Sequence, residues 1–320
     1  RSKAASGASV AVPADAGFLV QEQYTGFLSK PDLMLGGILP KVRRVSISGS
    51  ADSLAWVTVD ETSRATGSRW GGVQGYWVAE ADQITSSKPT LKRERVELEK
   101  VAALAYATGE VIQDARLLED IIGQAMREEL TFLVEDAFIS GTGAGKPTGV
   151  MASANNARVT VSKETGQAAD TIVSENVMKM YQRRWTGGSY VWLIGQDVMY
   201  ELMNMDLQVG TGGQLTFMPP GELASRPNGA ILGYSIFENE YSAALGDAND
   251  ISLVNLNEYL YIVKGDVQSA SSIHVRFDYD EMCYRFILRC NGRPTWSDAI
   301  TPYKATSSTK SPYIGLAARA

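Results

Sequence analysis

Apolar residues recur every three or four positions from Val111 through Ala115, Leu118, Ile122, Met126, Leu130 and Leu133 to Ala137. That spacing sets one apolar stripe along an α-helix. A break near Ala115 predicts a short first helix and a main one over 117–140, which is about 36 Å long at 1.5 Å per residue. Gly141 is expected to stop it. Elsewhere the period is two. LAWVTVDE at 54–61 is rich in strand formers, and YWVAEADQI at 76–84 answers it across a Gly-rich break. The pair predicts a long hairpin with a mobile tip at Ser63–Gly75. From Leu91 to Thr108 one long strand is expected, alternating at first and then apolar on both faces through VAALAYA, so that it passes from an edge into a core.

A second section opens near Ala169. SENVMKMYQRR at 174–184 predicts a helix capped by Ser174, YVWLI at 190–194 a buried strand, and 197–205 a further helix. Residues 206–229, rich in Gly and Pro, predict a long loop of the kind that often carries function. Strands then dominate as ILGYSIFE, ISLVNL, YLYIVKG, SIHVRFDY and MCYRFILRC, the last two joined by a turn at Asp280 and Glu281, before a polar tail from Thr306. Residues 1–17 hold almost nothing large enough to bury and read as an arm. Mixed in this way, the elements predict an α+β fold.

With 320 residues, 44% hydrophobic and 21% charged, the chain suits an ordinary folded protein of about two domains. Thirty Lys and Arg against thirty-six Asp and Glu leave a formal charge of −6, which argues against tight nonspecific grip on nucleic acid. The longest wholly apolar run, Val101–Ala107, is far short of the ~20 residues that span a bilayer, so no membrane partner is expected. Because the first residue is Arg1, a trimmed product is expected. Cys283 and Cys290 lie seven apart on one predicted strand, face opposite ways and are expected to be reduced.

Chemistry is scarce. GTGAGKPTG at 141–149 invites a phosphate-loop reading, but Ser140 stands where the motif needs Gly, Pro147 where it needs Ser or Thr, and a helix precedes it; a plain turn is expected. His274, sharing a strand face with Arg276 and Asp278, is the one histidine and has no second to complete a common site. Cys283 would need a base to form thiolate, and His274 lies across the same predicted hairpin. Asp278, Asp280 and Glu281 suit a turn better than a calcium loop. No catalytic residue, cofactor site or metal site is therefore expected, and no enzyme. A projecting hairpin must dock to be stable, which makes Arg64, Arg69, Trp70 and Trp77 the candidates for contact between subunits, beside the exposed Trp56 and Tyr76.

FLV at 18–20, AFISGTGAGKPTGV at 137–150, ILGYSI at 231–236 and FILRCNGRP at 286–294 with Ala299 stand in an order and spacing that resembles the major capsid protein of tailed double-stranded DNA bacteriophages, the Hong Kong 97 type, over nearly all of the chain. The resemblance implies an N-terminal arm at 1–35, the start of the peripheral P-domain at 36–53, an E-loop hairpin at 54–90, P-domain with its spine helix 117–140 at 91–165, an axial A-domain at 166–260, P-domain strands at 261–292 and a C-terminal segment at 293–320. It further implies self-assembly into pentamers and hexamers of an icosahedral shell in the virion, built in the host cytoplasm after proteolytic maturation. Packaged double-stranded DNA would be held nonspecifically, and scaffolding, portal or decoration proteins are the further partners it suggests.

Ser235 stands where such proteins often carry Pro. Some members cross-link an E-loop lysine to an asparagine of a neighbour; Ser63–Gly75 has none, so a noncovalent shell is expected and Asn291 is given no bonding role. The alternative within the same fold is an encapsulin, a cellular compartment, against which the long arm and hairpin speak. From other classes, an α+β enzyme lacks a convincing acid, base or metal constellation in this sequence, and a surface adhesion or tail module differs in that it would form no shell.

Overall fold

The computed structural model of the chain describes residues 37–109, 117–203, 206–209, 212–215, 217–218, 229–304 and 307–319. The predicted arm at 1–35 and the helix break near Ala115 lie outside them. A first sheet is organised around one long strand, β15 (Glu281–Pro294). Its first part pairs antiparallel with β4 (Glu99–Thr108) on one side and with β14 (Gln268–Arg276) on the other. Its last residues pair with β13 (Tyr259–Val263), which runs parallel to β1 (Arg43–Ser46). Across one face lies the predicted helix, α1 (Leu117–Ser140). Leu130, Ile122 and Met126 meet Ala103, Ala105, Ala107, Tyr284 and Phe286, while the Phe138 ring packs 5.0 Å from the rings of both Tyr259 and Tyr261. The alanines let the helix approach the sheet closely.

Gly141 ends α1 through close approach rather than a left-handed turn. A Cβ there would fall on the carbonyl oxygens of Ala137 and Pro147, and one at Gly149 on that of Ile139. GTGAGKPTG is thus a tight turn, bridged between Thr142 and Thr148 and folded back on the helix end. Toward the C-terminal end of α1, Glu135, fully buried, accepts hydrogen bonds from the backbone N–H of Ile38 and Leu39 at 3.2 and 3.1 Å and from the Tyr241 hydroxyl at 3.0 Å. One carboxylate therefore ties the start of the described chain to the helix and to the loop after residue 238.

The second sheet has the order β5 (Val159–Val161), β16 (Tyr313–Leu316), β12 (Ile251–Val254), β6 (Val191–Ile194), β11 (Tyr234–Glu238), β10 (Ala230–Ile231) and β9 (Phe217–Met218). Val177 and Met180 of α2 (Ser174–Arg183) and Val198 and Leu202 of α3 (Gln196–Met203) share a core with Trp192, Ile194, Leu253 and Ile314 of its strands. Ser174 does not cap α2: it is the first helical residue, and its hydroxyl donates to Glu175. The Asn176 side chain accepts from the Val173 N–H instead. Residues 206–229 are not one loop, since β7 (Asp206–Val209) and β8 (Gly212–Leu215) form a small hairpin and β9 joins the sheet. Nor is the end of the chain a polar tail. YIGL is too short to signal by periodicity, yet β16 is wholly buried between β12 and β5.

Two strand expectations also change. The partner of β2 (Ser53–Val59) is β3 (Leu91–Glu97), not residues 76–84, which form no strand. LKRERVE sits where seven cross-strand pairs close in register, from Val59 opposite Leu91 to Ser53 opposite Glu97. The single strand expected over 91–108 is two: at Leu98, whose N–H binds the Asp52 carbonyl, the chain leaves one sheet for another. β4 then alternates between half-buried and exposed, because only one of its faces is covered by α1.

Candidate subunit-contact surface

The β2–β3 hairpin packs Leu54, Trp56, Val96 and Leu98 against Ile47, Leu260 and Ile262. Its anchor is Glu94, 6% exposed, which receives Lys92 Nζ at 2.9 Å, Arg293 Nη1 at 3.0 Å and Ser297 Oγ at 3.3 Å. Burial alone would raise this carboxyl's pKa; the Lys92 hydrogen bond and the charges of Arg293 and Lys92 outweigh it and hold it below the ordinary carboxylate value.

Beyond β2 the excursion does not run straight to a free tip. Residues 61–64 turn back on the chain's own C-terminal region, with Arg64 N–H donating to the Thr301 carbonyl and Thr301 N–H to that of Thr62. The Arg64 side chain grips both oxygens of Glu61 at 2.8 Å and lies over Trp185, which meets Trp296 edge-on. Arg69 donates to the carbonyls of Gly67 and Ser68 and sits 5.9 Å from the Tyr303 ring centroid. Next, Trp70 and Gly71 both take positive φ, 54° and 72°, and a Cβ at Gly71 would fall on the Asp60 carbonyl oxygen, so the turn needs glycine at 71. The Thr90 N–H and hydroxyl return to the Trp70 and Gly71 carbonyls, and Ser87 Oγ both donates to the Gln74 carbonyl and accepts from its N–H.

These contacts close the base of a projecting segment in which every residue from 75 to 90 is exposed. It carries Tyr76, Trp77, Val78 and Ile84, with Trp77 as exposed (105%) as in an extended chain. Glu80 and Asp82 make it acidic, and Lys88 lies near its return. The expectation of a lysine-free projection therefore holds for Ser63–Gly75 but not for the segment that actually projects. Of the four contact candidates, Arg64 is half-buried and engaged within the subunit, while Arg69, Trp70 and Trp77 are exposed.

A second open surface lies on the face of the first sheet turned from α1. Leu104 and Tyr106 of β4 are exposed there, and Arg276 stacks 4.2 Å from the Tyr106 ring centroid. Lys100 and Arg285 on β4 and β15 form no ion pair among the described residues, while Arg289 is held by Asp52 at 3.1 Å. At the end of β14, Ile273 and Val275 are exposed as well, as are Phe277 and Tyr279 in the 3-10 turn that follows.

Cys283 is buried opposite Ser272, whereas His274 is exposed, and Asp278 belongs to a 3-10 turn rather than to the strand face of His274. Asp280 takes a left-handed turn conformation, and the Glu281 carboxylate is paired with Arg276 at 2.8 Å. Burial pushes the Cys290 thiol up to about 11, against a hydrogen bond with Tyr261 that lowers it. Sequence reading missed Glu94, Trp185 and Thr301, whose parts depend on long-range contact; the E-x-x-R spacing of Glu61 and Arg64 was the one local signal available.

A capsid family model, the phage capsid family, matches residues 27–305. The capsid polyprotein of Pseudomonas phage PAJU2 is 25% identical over 219 residues, which is 65% of this chain and 31% of that longer protein; the chain thus spans about a third of this relative. Among solved structures, the capsid of an empty GTA particle superposes with a TM-score of 0.70 at 15% identity, covering 97% of this chain and 99% of that one. A chain of Microbacterium phage Oxtober96 gives 0.63 at 15% identity, covering 96% and 98%. The mature capsid of bacteriophage PhiM1 gives 0.55 at 11%, covering 93% and 92%. The family model and the capsid polyprotein relative do not favour the encapsulin alternative. With the family model across most of its length and this α+β architecture, of the Hong Kong 97 type, the chain belongs to the phage capsid family and is a structural protein of the capsid.

Proposed function

We propose that copies of this chain assemble into pentamers and hexamers of an icosahedral shell that encloses packaged double-stranded DNA, and that the protein performs no catalysis. The observation that carries the reading is the projecting segment at 75–90, whose aromatic and aliphatic side chains have no cover within the subunit. Its acidic Glu80 and Asp82 complement the unpaired Lys100 and Arg285 on the open sheet face beside Leu104 and Tyr106, so one copy offers what another lacks. Many such contacts, weak singly, add as a lattice closes. The apolar character of both surfaces supports noncovalent contacts, and the charge of −6 supports a container that does not grip its polyanionic contents. Proteolytic maturation, assembly in the host cytoplasm and service to scaffolding, portal or decoration proteins belong to the same proposal.

Purified protein examined by light scattering and negative-stain electron microscopy tests it. Rings or closed shells are expected, dissolving to monomer bands on a denaturing gel. A stable monomer at high concentration, under salt and crowding that promote assembly and with a scaffold supplied, would overturn it.

A further inference from the structure

We propose that the buried ion pair of Asp250 and Arg319, with Gly315, fixes the register of β16 in the second sheet rather than adding net stability. All four residues of β16 are buried, as are all four of β12 and of β6. Strand register is ordinarily read from alternation between a core face and a solvent face. Here Tyr313 enters one apolar cluster and Ile314 and Leu316 the other, so hydrophobicity alone discriminates poorly between the observed pairing and its neighbours.

Polar groups supply the missing discrimination. The Asp250 and Arg319 side chains are both fully buried. Arg319 Nη1 reaches Asp250 Oδ1 at 3.1 Å, Nη2 reaches Oδ2, and Nη1 also donates to the Ala317 carbonyl at 3.3 Å. Asp250 accepts in addition from the N–H groups of Gly246 and Ile251 at 3.1 and 2.8 Å. Yet Arg319 Nε is buried without a partner, and so are Asn249 Oδ1 and Ser252 Oγ beside Asp250 in sequence. Buried ion pairs often add no net stability, and orphaned polar atoms make this one more costly still. Its effect is on alternatives. A slip of two residues that brings Ile314 opposite Ile251 keeps every side chain on its own face but carries Arg319 about 6.6 Å along the strand away from Asp250, leaving that carboxylate buried and uncompensated. A slip of one is blocked differently. Asn249, held by its N–H to the Leu316 carbonyl at 2.8 Å and by a φ of 68°, rests its Oδ1 where a Cβ at Gly315 would fall.

Cysteine pairs in the full chain read the register directly. Leu253→Cys with Ile314→Cys are opposite in the observed pairing, whereas Ile251→Cys with Ile314→Cys meet only after the slip of two that carries Arg319 away from Asp250. With Asp250 and Arg319 present, only the first pair is expected to form a disulfide. In an Asp250→Leu, Arg319→Met background the protein should melt no lower, while the slipped pair rises about tenfold, equivalent to about 1.4 kcal/mol of lost discrimination. A folded double variant in which the slipped pair stays at background would overturn the proposal. So would a double variant that no longer folds, since the ion pair would then be a net stabiliser.

Discussion

The guanidinium of Arg64 lies 4.9 Å from the ring centroid of Trp185 while it holds Glu61 through two 2.8 Å hydrogen bonds. The side chain expected to contact a neighbouring subunit thus also braces the base of the projection within its own. Replacing it with alanine should loosen the base of the projection. Faster amide exchange over residues 61–74 is expected for Arg64→Ala, at a cost of about 1–2 kcal/mol, from the combined loss of a stacked cation and a bidentate ion pair.

Trp77 should show the opposite profile. Nothing within the subunit covers it, so Trp77→Ala is expected to leave thermal stability within about 0.5 kcal/mol of the parent. If the ring anchors a contact between copies, its loss should cost about 2 kcal/mol per contact and raise the protein concentration needed for assembly. Light scattering across a dilution series separates the two effects; unchanged assembly would remove Trp77 from the interface.

Glu94 gives the hairpin a pH dependence. Its carboxyl is held below the ordinary value, so its contribution is present above the unfolded pKa and is lost as pH falls through the lower, folded one. The stability difference between the parent and Glu94→Gln should accordingly be largest near neutral pH and shrink on acidification. Denaturant unfolding at neutral and acid pH measures it, and a difference that grows in acid would contradict the assignment.

Cys290 should be inert in the native protein. A thiol raised to about 11 by burial carries little thiolate at neutral pH, and its side chain is 3% exposed. Labelling by an aromatic disulfide reagent is expected to be slow until denaturant is added, and prompt labelling of Cys290 in the folded state would argue against this packing.

The strongest local repeats were legible without the structure. The 3.6-residue stripe of α1 gave its limits as they stand, Leu117–Ser140, and the apolar runs YVWLI, ISLVNL and YLYIVKG each became a buried strand. The turn expected at GTGAGKPTG was also legible. Partner choice was not. YWVAEADQI is richer in strand formers than LKRERVE, but only the latter lies where β2 can pair with it and where Glu94 meets Arg293 and Ser297. For Arg64, the meaning of the side chain depended on Trp185, more than a hundred positions away. β16 shows the same limit most sharply: four apolar residues near the end of the chain carry no periodic signal, and their place between β12 and β5 follows from long-range pairing and from the burial of Arg319 against Asp250. Periodicity reports which face of an element avoids water; which element covers that face is decided only when distant segments compete for the same core.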